Sequence, residues 1–187
     1  MLEAADLWLL RSLYAGGSSG ALRAAISALT FLGSGWMLLG LVPVLFLRRL
    51  RMQSVALLVT IGVTSLAVAS VKALAGRVRP CNALDWVHPV ASGLPTDCSF
   101  PSGHAAGSFA FAVFIFAANR RAGLALLGVA TAIAVSRVAL GVHYPTDVAA
   151  GALLGSMVAA IGARLNAFFS ASATVRLANA DSEPFRQ

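Results

Sequence analysis

MQSVALLVTIGVTSLAVASV, residues 52–71, runs without a charged side chain from Arg51 to Lys72. A helix rises about 1.5 Å per residue, so about twenty apolar residues match the hydrocarbon thickness of a bilayer. Working outward, the same reading recurs. Ala24–Leu47 is uncharged between Arg23 and Arg48. Gly103–Asn119 is apolar apart from His104 and precedes Arg120 and Arg121. Ala122–Ser136 runs up to Arg137, and Val148–Gly162 runs up to Arg164. These last three are short and are expected to extend past their flanking charges or to let those charges snorkel. The expectation is an all-α, polytopic membrane bundle of five spans.

Composition agrees. Of 187 residues, 58% are hydrophobic and 11% charged, against about 25% charged in a soluble domain. Mean hydropathy is +0.81. A net charge of +7 invites comparison with nucleic-acid binders, but the basic residues form short clusters between uncharged runs rather than a stripe. That is how charges distribute at membrane borders, so no nucleic-acid partner is expected. The Lys/Arg bias puts Arg48, Arg49, Arg51, Arg120, Arg121 and Arg164 on the cytoplasmic side. Lys72, Arg79, His104, Arg137 and His143 then fall together on the other face. Glu3, Asp6 and Arg11 spoil any signal-peptide reading of the N-terminus. Leu2, Ala5, Leu9 and Leu13 lie near one helical face, which suits an amphipathic interfacial helix, with a sixth crossing as the alternative. Gly16–Gly20 reads as a flexible break. The organisation expected is therefore an N-terminal helix and break over 1–20, a transmembrane domain over 21–170, and a frayed cytoplasmic tail over 171–187.

Three clusters carry the chemistry. In the first, Lys72 and Arg79 are seven residues apart, two turns if the helix continues, and Pro80 ends it. In the second, Ser99-Phe-Pro101-Ser102-Gly103-His104 enters a span. There free N–H groups and the helix dipole favour an anion, Ser102 adds a hydroxyl, and Gly103 allows close approach. In the third, Arg137 supplies another cation with bidentate geometry. Asp147, in the first turn of a helix opened by Pro145, can bond one ring nitrogen of His143 and aim the other as a nucleophile. Each cluster alone would also suit a snorkelling pair, a capped helix or an interfacial histidine. Three cations, two histidines and a carboxylate gathered on one membrane face point instead to a phosphate site.

Lys72-x6-Arg79-Pro80, Pro101-Ser102-Gly103-His104 and Ser136-Arg137-x5-His143-x3-Asp147 resemble the three-part signature of type-2 phosphatidic acid phosphatases (PAP2). That superfamily also holds soluble acid phosphatases and vanadium haloperoxidases. The resemblance spans residues 72–147 and is complete at every motif position. It implies that His143 attacks phosphorus to give a phosphohistidine, and that His104 protonates the leaving oxygen and then activates water. Asp147 orients His143, while Lys72, Arg79, Ser102, Gly103 and Arg137 hold the phosphate. No metal-ligand spacing is evident, so neither metal nor cofactor is expected. Small bacterial members act on undecaprenyl diphosphate, phosphatidylglycerol phosphate, phosphatidic acid or lipid A phosphates. Undecaprenyl diphosphate is the first choice, with the enzyme in the bacterial inner membrane and its site facing outward. A phosphotransferase, a haloperoxidase and a lipid-binding or transport protein with a vestigial site are the competing readings.

Cys81 and Cys98 are the only cysteines. Outside the cytoplasm a disulfide between them is permitted, and it would contribute about 3 kcal/mol by closing the loop. That loop also carries Asp85, Trp86, His88, Pro89 and Asp97, which suit a lid or head-group wall. Trp36 and Trp86 suit interfacial anchors.

Overall fold

The computed structural model describes residues 2–33, 51–88 and 96–181. The second half of the expected span Ala24–Leu47, with Trp36, Arg48, Arg49 and Pro89, lies outside the described residues. Among those described, the helices are α1 (Leu2–Leu13), α2 (Gly20–Leu32), α3 (Arg51–Ala75), α4 (Pro80–Ala83), α5 (Gly103–Ala118), α6 (Arg120–Ala139) and α7 (Pro145–Asp181). Arg51–Ala83, which holds α3, Arg120–Ala139 and Pro145–Ser172 are long and apolar enough to cross a bilayer. Gly20–Phe31 and Gly103–Ala118 are apolar but shorter. This is a multi-pass membrane protein.

The helices alternate in direction. α3 rises from Arg51 to Lys72, α5 leaves from Gly103, α6 returns to Ala139, and α7 leaves from Pro145. One end of the bundle therefore collects Lys72, His104, Arg137 and His143, while Arg51, Arg120 and Arg121 lie at the other. α5 is the central element, packed against α3, α6 and α7. Its tightest seam is with α7. A Cβ on Gly155 would lie 2.0 Å from the Ala106 carbonyl oxygen, and one on Gly151 would lie 2.4 Å from that of Ser102. Spaced four residues apart, these glycines let two backbones approach as side chains would not permit. The core beside this seam is Leu57, Ile61, Ala110, Phe114 and Ala159. Val55, Val59, Val63 and Leu66 on α3, and Leu153, Met157, Ile161 and Leu165 on α7, are exposed at helical spacing. Each set forms an apolar stripe suited to lipid.

Several expectations need correction. Lys72 and Arg79 do not share a helix. α3 stops at Ala75 because Gly76 takes φ +58° and returns its N–H to the Lys72 carbonyl at 3.2 Å, a left-handed helix stop. Pro80 opens α4 rather than ending α3. The Gly/Ser break is a bonded turn, with Ser18 Oγ donating to the Ala15 carbonyl at 2.5 Å and Ser19 capping α2. The tail from Ala171 continues as α7 to Asp181 instead of fraying. α1 buries Asp6 and Leu10 against the bundle, a contact the sequence does not show, and turns Leu9 and Leu13 outward, where they can meet the bilayer interface. Finally, Cys81 and Cys98 are free. Cys81 packs as a small apolar group against the cluster of Leu10, Val87, Val138 and Tyr144, so the bridge is not formed in this structure.

Candidate active site

The loop between α6 and α7 presents His143. α6 ends at Ala139, and Gly141 turns the chain with φ +72°. A Cβ there would sit 2.5 Å from Val87 Cγ1, so both the backbone angle and the space call for glycine. Two residues later His143 is 2% exposed. Its Nε2 lies 3.0 Å from an Arg79 Nη1. A guanidinium only donates, so Nε2 carries the lone pair and Nδ1 the hydrogen. Arg79 is fixed by further bonds from the same nitrogen to the Val142 carbonyl at 2.8 Å and from Nε to the Asp97 carbonyl at 2.9 Å.

His143 Nδ1 faces Asp147 Oδ2 at 3.5 Å and makes no hydrogen bond. The spacing reading expected a closed bond here. Asp147 is instead fully occupied by neighbours. Oδ2 accepts from the Tyr144 N–H at 2.8 Å and from the Ser99 hydroxyl, and Oδ1 accepts from Arg77 at 2.6 Å. His143 lies in the loop, outside the spanning segments. Burial pushes its imidazole down, attraction to Asp147 opposes this, and the charges of Arg79 and Arg137 push it further, to about 4. The ring is therefore neutral at neutral pH, as a nitrogen nucleophile requires.

The cations converge on a carboxylate. Asp97 Oδ2 lies 2.9 Å from Lys72 Nζ, and its Oδ1 lies 2.7 Å from Arg79. Arg137 also feels its charge. Partial burial raises the Asp97 carboxyl, but the hydrogen bonds and charges of Lys72 and Arg79 win and hold it at about 2. Asp97 is thus an internal anion across the expected phosphate ligands, yet its side chain is 58% exposed to solvent. Arg137 donates to Thr30 Oγ1 at 3.1 Å, while its buried Nε has no partner among the described residues. Ser102 caps α5 by accepting from the Ala105 N–H, and its own N–H bonds the Asp147 carbonyl at 2.9 Å, tying two helix starts together. His104 stands in the first turn of α5, within electrostatic reach of Arg79, Arg137 and His143. It borders a cavity of about 230 Å³ between α2, α3 and α5, with Gly33, Thr64, Val68, Gly103 and Gly107. Lys72, Arg79, His104, Arg137, His143 and Asp147 are thus brought together at one end of the bundle. Sequence reasoning gave no role to Asp6, Thr30, Arg77 or Thr146, which also reach it.

The model of the PAP2 superfamily matches residues 53–170. This chain belongs to the PAP2 superfamily. Among PAP2 relatives it is 35% identical over 131 residues to the decaprenylphosphoryl-5-phosphoribose phosphatase of Mycobacterium tuberculosis, covering 68% of this chain and 69% of that protein. It is 32% identical over 125 residues to the undecaprenyl-diphosphatase of Sulfolobus acidocaldarius, covering 65% and 59%. The crystal structure of LpxE from Aquifex aeolicus superposes with a TM-score of 0.75 at 29% identity, covering 84% of this chain and 94% of that one. As a PAP2 protein with phosphatase relatives, the chain is a hydrolase acting on phosphate esters. Its place is a membrane.

Proposed function

We propose that this chain removes the terminal phosphate of a polyprenyl-linked substrate, undecaprenyl diphosphate first, through a phosphohistidine on His143. The observation that carries the reading is Arg79 Nη1 at 3.0 Å from His143 Nε2. The phosphate-gripping cation and the nucleophilic nitrogen already touch, and an exposed carboxylate occupies the same cations. Phosphate displaces Asp97 from Lys72 and Arg79, and Arg137 closes on its remaining oxygens through groups now unpartnered. Ser102 and the Gly103 N–H add donors at the start of α5. Spreading charge on the equatorial oxygens is thereby matched by fixed donors. Nε2 attacks in line. As the ring becomes positive, Asp147 draws closer to Nδ1–H and stabilises it. His104 gives its proton to the departing oxygen, whose chain enters through the cavity beside α3. It then takes a proton from the water that releases phosphate.

Two polyprenyl phosphatases among the relatives support the tail class. The lysine–arginine bias supports placement in the inner membrane with the site outward. Phosphate release from purified protein, measured across prenyl, glycerolipid and lipid A mono- and diphosphates, tests the substrate. His143→Ala should lower turnover by at least about a thousandfold and abolish acid-labile phosphate on the chain. Full activity in that variant would end the mechanism.

A further inference from the structure

Asp6 lies 3% exposed on α1, far in sequence from every residue so far given a role in the reaction. A buried carboxylate is costly unless it is paired, and its partners lead directly to His143. Oδ2 lies 2.8 Å from Arg77 Nη2, Oδ1 accepts the Thr146 N–H at 2.9 Å, and Oδ2 also accepts the Thr146 hydroxyl at 2.5 Å. The other arm of Arg77 donates to Asp147 Oδ1 at 2.6 Å and to Thr146 Oγ1 at 2.7 Å. Its guanidinium carbon sits over the Tyr144 ring, 4.0 Å from the centroid. One guanidinium thus bridges two carboxylates, one on α1 and one behind the histidine.

We propose that Asp6 and Arg77 are positioning residues for the phosphatase reaction, acting through Asp147 to set its orientation and its effective charge behind His143. This rests on His143 being the nucleophile. Arg77 alone would neutralise Asp147 and leave little negative charge to support a positive ring. With Asp6 on its far side the trio keeps one net negative charge, and Asp147 remains anchored. Facing the ring from the surrounding elements are Arg79 before α4, His104 on α5, Arg137 on α6 and Asp147 on α7. Two of these, Arg79 and Arg137, disfavour a cationic ring, so the balance held by Asp6 and Arg77 weighs on the step that forms one. The competing role is purely structural, since Asp6 also covers the start of α7 as a cap would.

The two roles separate by the sign of a shift. Kinetics on the full chain in detergent or nanodiscs would compare Asp6→Asn, Asp6→Glu, Arg77→Met and the double variant Asp6→Asn/Arg77→Met. In Asp6→Asn an uncompensated cation faces Asp147. Turnover should fall about tenfold with KM little changed, and the acid limb of kcat/KM should move to lower pH. In Arg77→Met two carboxylates remain, so that limb should move to higher pH. The double variant should return toward the wild-type limb, and Asp6→Glu should keep the wild-type profile. Wild-type turnover in Asp6→Asn overturns the proposal. So does a parallel loss of activity and thermal stability in all variants with the pH profile unmoved, which is the structural outcome. Retained activity in His143→Ala identifies failure of the nucleophile reading itself, and takes this inference with it.

Discussion

At His143 the nitrogen proposed to attack phosphorus is held by a donor, Arg79, and not by a base. Its depressed pKa of about 4 has a direct consequence for the pH profile. Protonation removes the nucleophile, so kcat/KM should fall as pH drops through about 4 and not through the ordinary value near 6.5, as initial rates across pH 3.5–8 would show. Because the folded value lies below the unfolded one, this residue's contribution to stability is full above about 6.5 and is lost as pH falls toward 4. Asp97 supports a second expectation. Asp97→Asn frees Lys72 and Arg79, so inorganic phosphate should inhibit about three to ten times more strongly, read as a lower inhibition constant. Motif spacing made Lys72, His104, Arg137, His143 and Asp147 legible. It could not reveal that Asp97 meets two of the cations, because a loop acid carries no periodicity. Nor could it pair Asp6 with Arg77 across 71 residues.

At the scale of elements, the spans were legible because uncharged length leaves few alternatives, and α3, α5, α6 and the start of α7 fall where hydropathy puts them. Helix ends were less so. Continuing α3 to Arg79 overlooked Gly76, whose positive φ stops the helix and lets a loop bring Arg79 to His143. On α1 the periodicity of the leucines shows the outward apolar face, but not that the opposite face buries a paired carboxylate, Asp6. The cavity face of α5 offers a clean perturbation. Among the described residues a Cβ on Gly107 meets nothing within 4 Å, and Gly107 borders the cavity next to His104. Gly107→Val should therefore leave thermal stability nearly unchanged. It should raise KM for a long-chain lipid phosphate about tenfold and leave a short water-soluble phosphomonoester almost unaffected. Equal losses on both substrates would show that the chain does not pass this way.

For the whole molecule, helix alternation sorts the two ends of the bundle. α1 joins the His143 end, as Asp6 and Thr146 require. Impermeant thiol reagents should modify the free Cys81 and Cys98 only from that side of sealed vesicles. Arg120→Cys, in a chain otherwise free of cysteine, should react only from the opposite side. Labelling of both from one side would break the topology. This sidedness was readable from charge, because each crossing reverses it. The docking of α1 was not, since it depends on tertiary contacts.

The carboxylate resting across Lys72 and Arg79 also bears on which anions in a bilayer this enzyme ignores. Ordinary membrane phospholipids are phosphodiesters with a single negative charge, so exchanging one for Asp97 gains no Coulomb energy. A terminal phosphomonoester carries close to two charges at neutral pH and wins the exchange. On the proposed mechanism, amid an enormous excess of diester head groups, the resting enzyme carries its own competitor, one that screens out the solvent lipid and yields to the rare substrate.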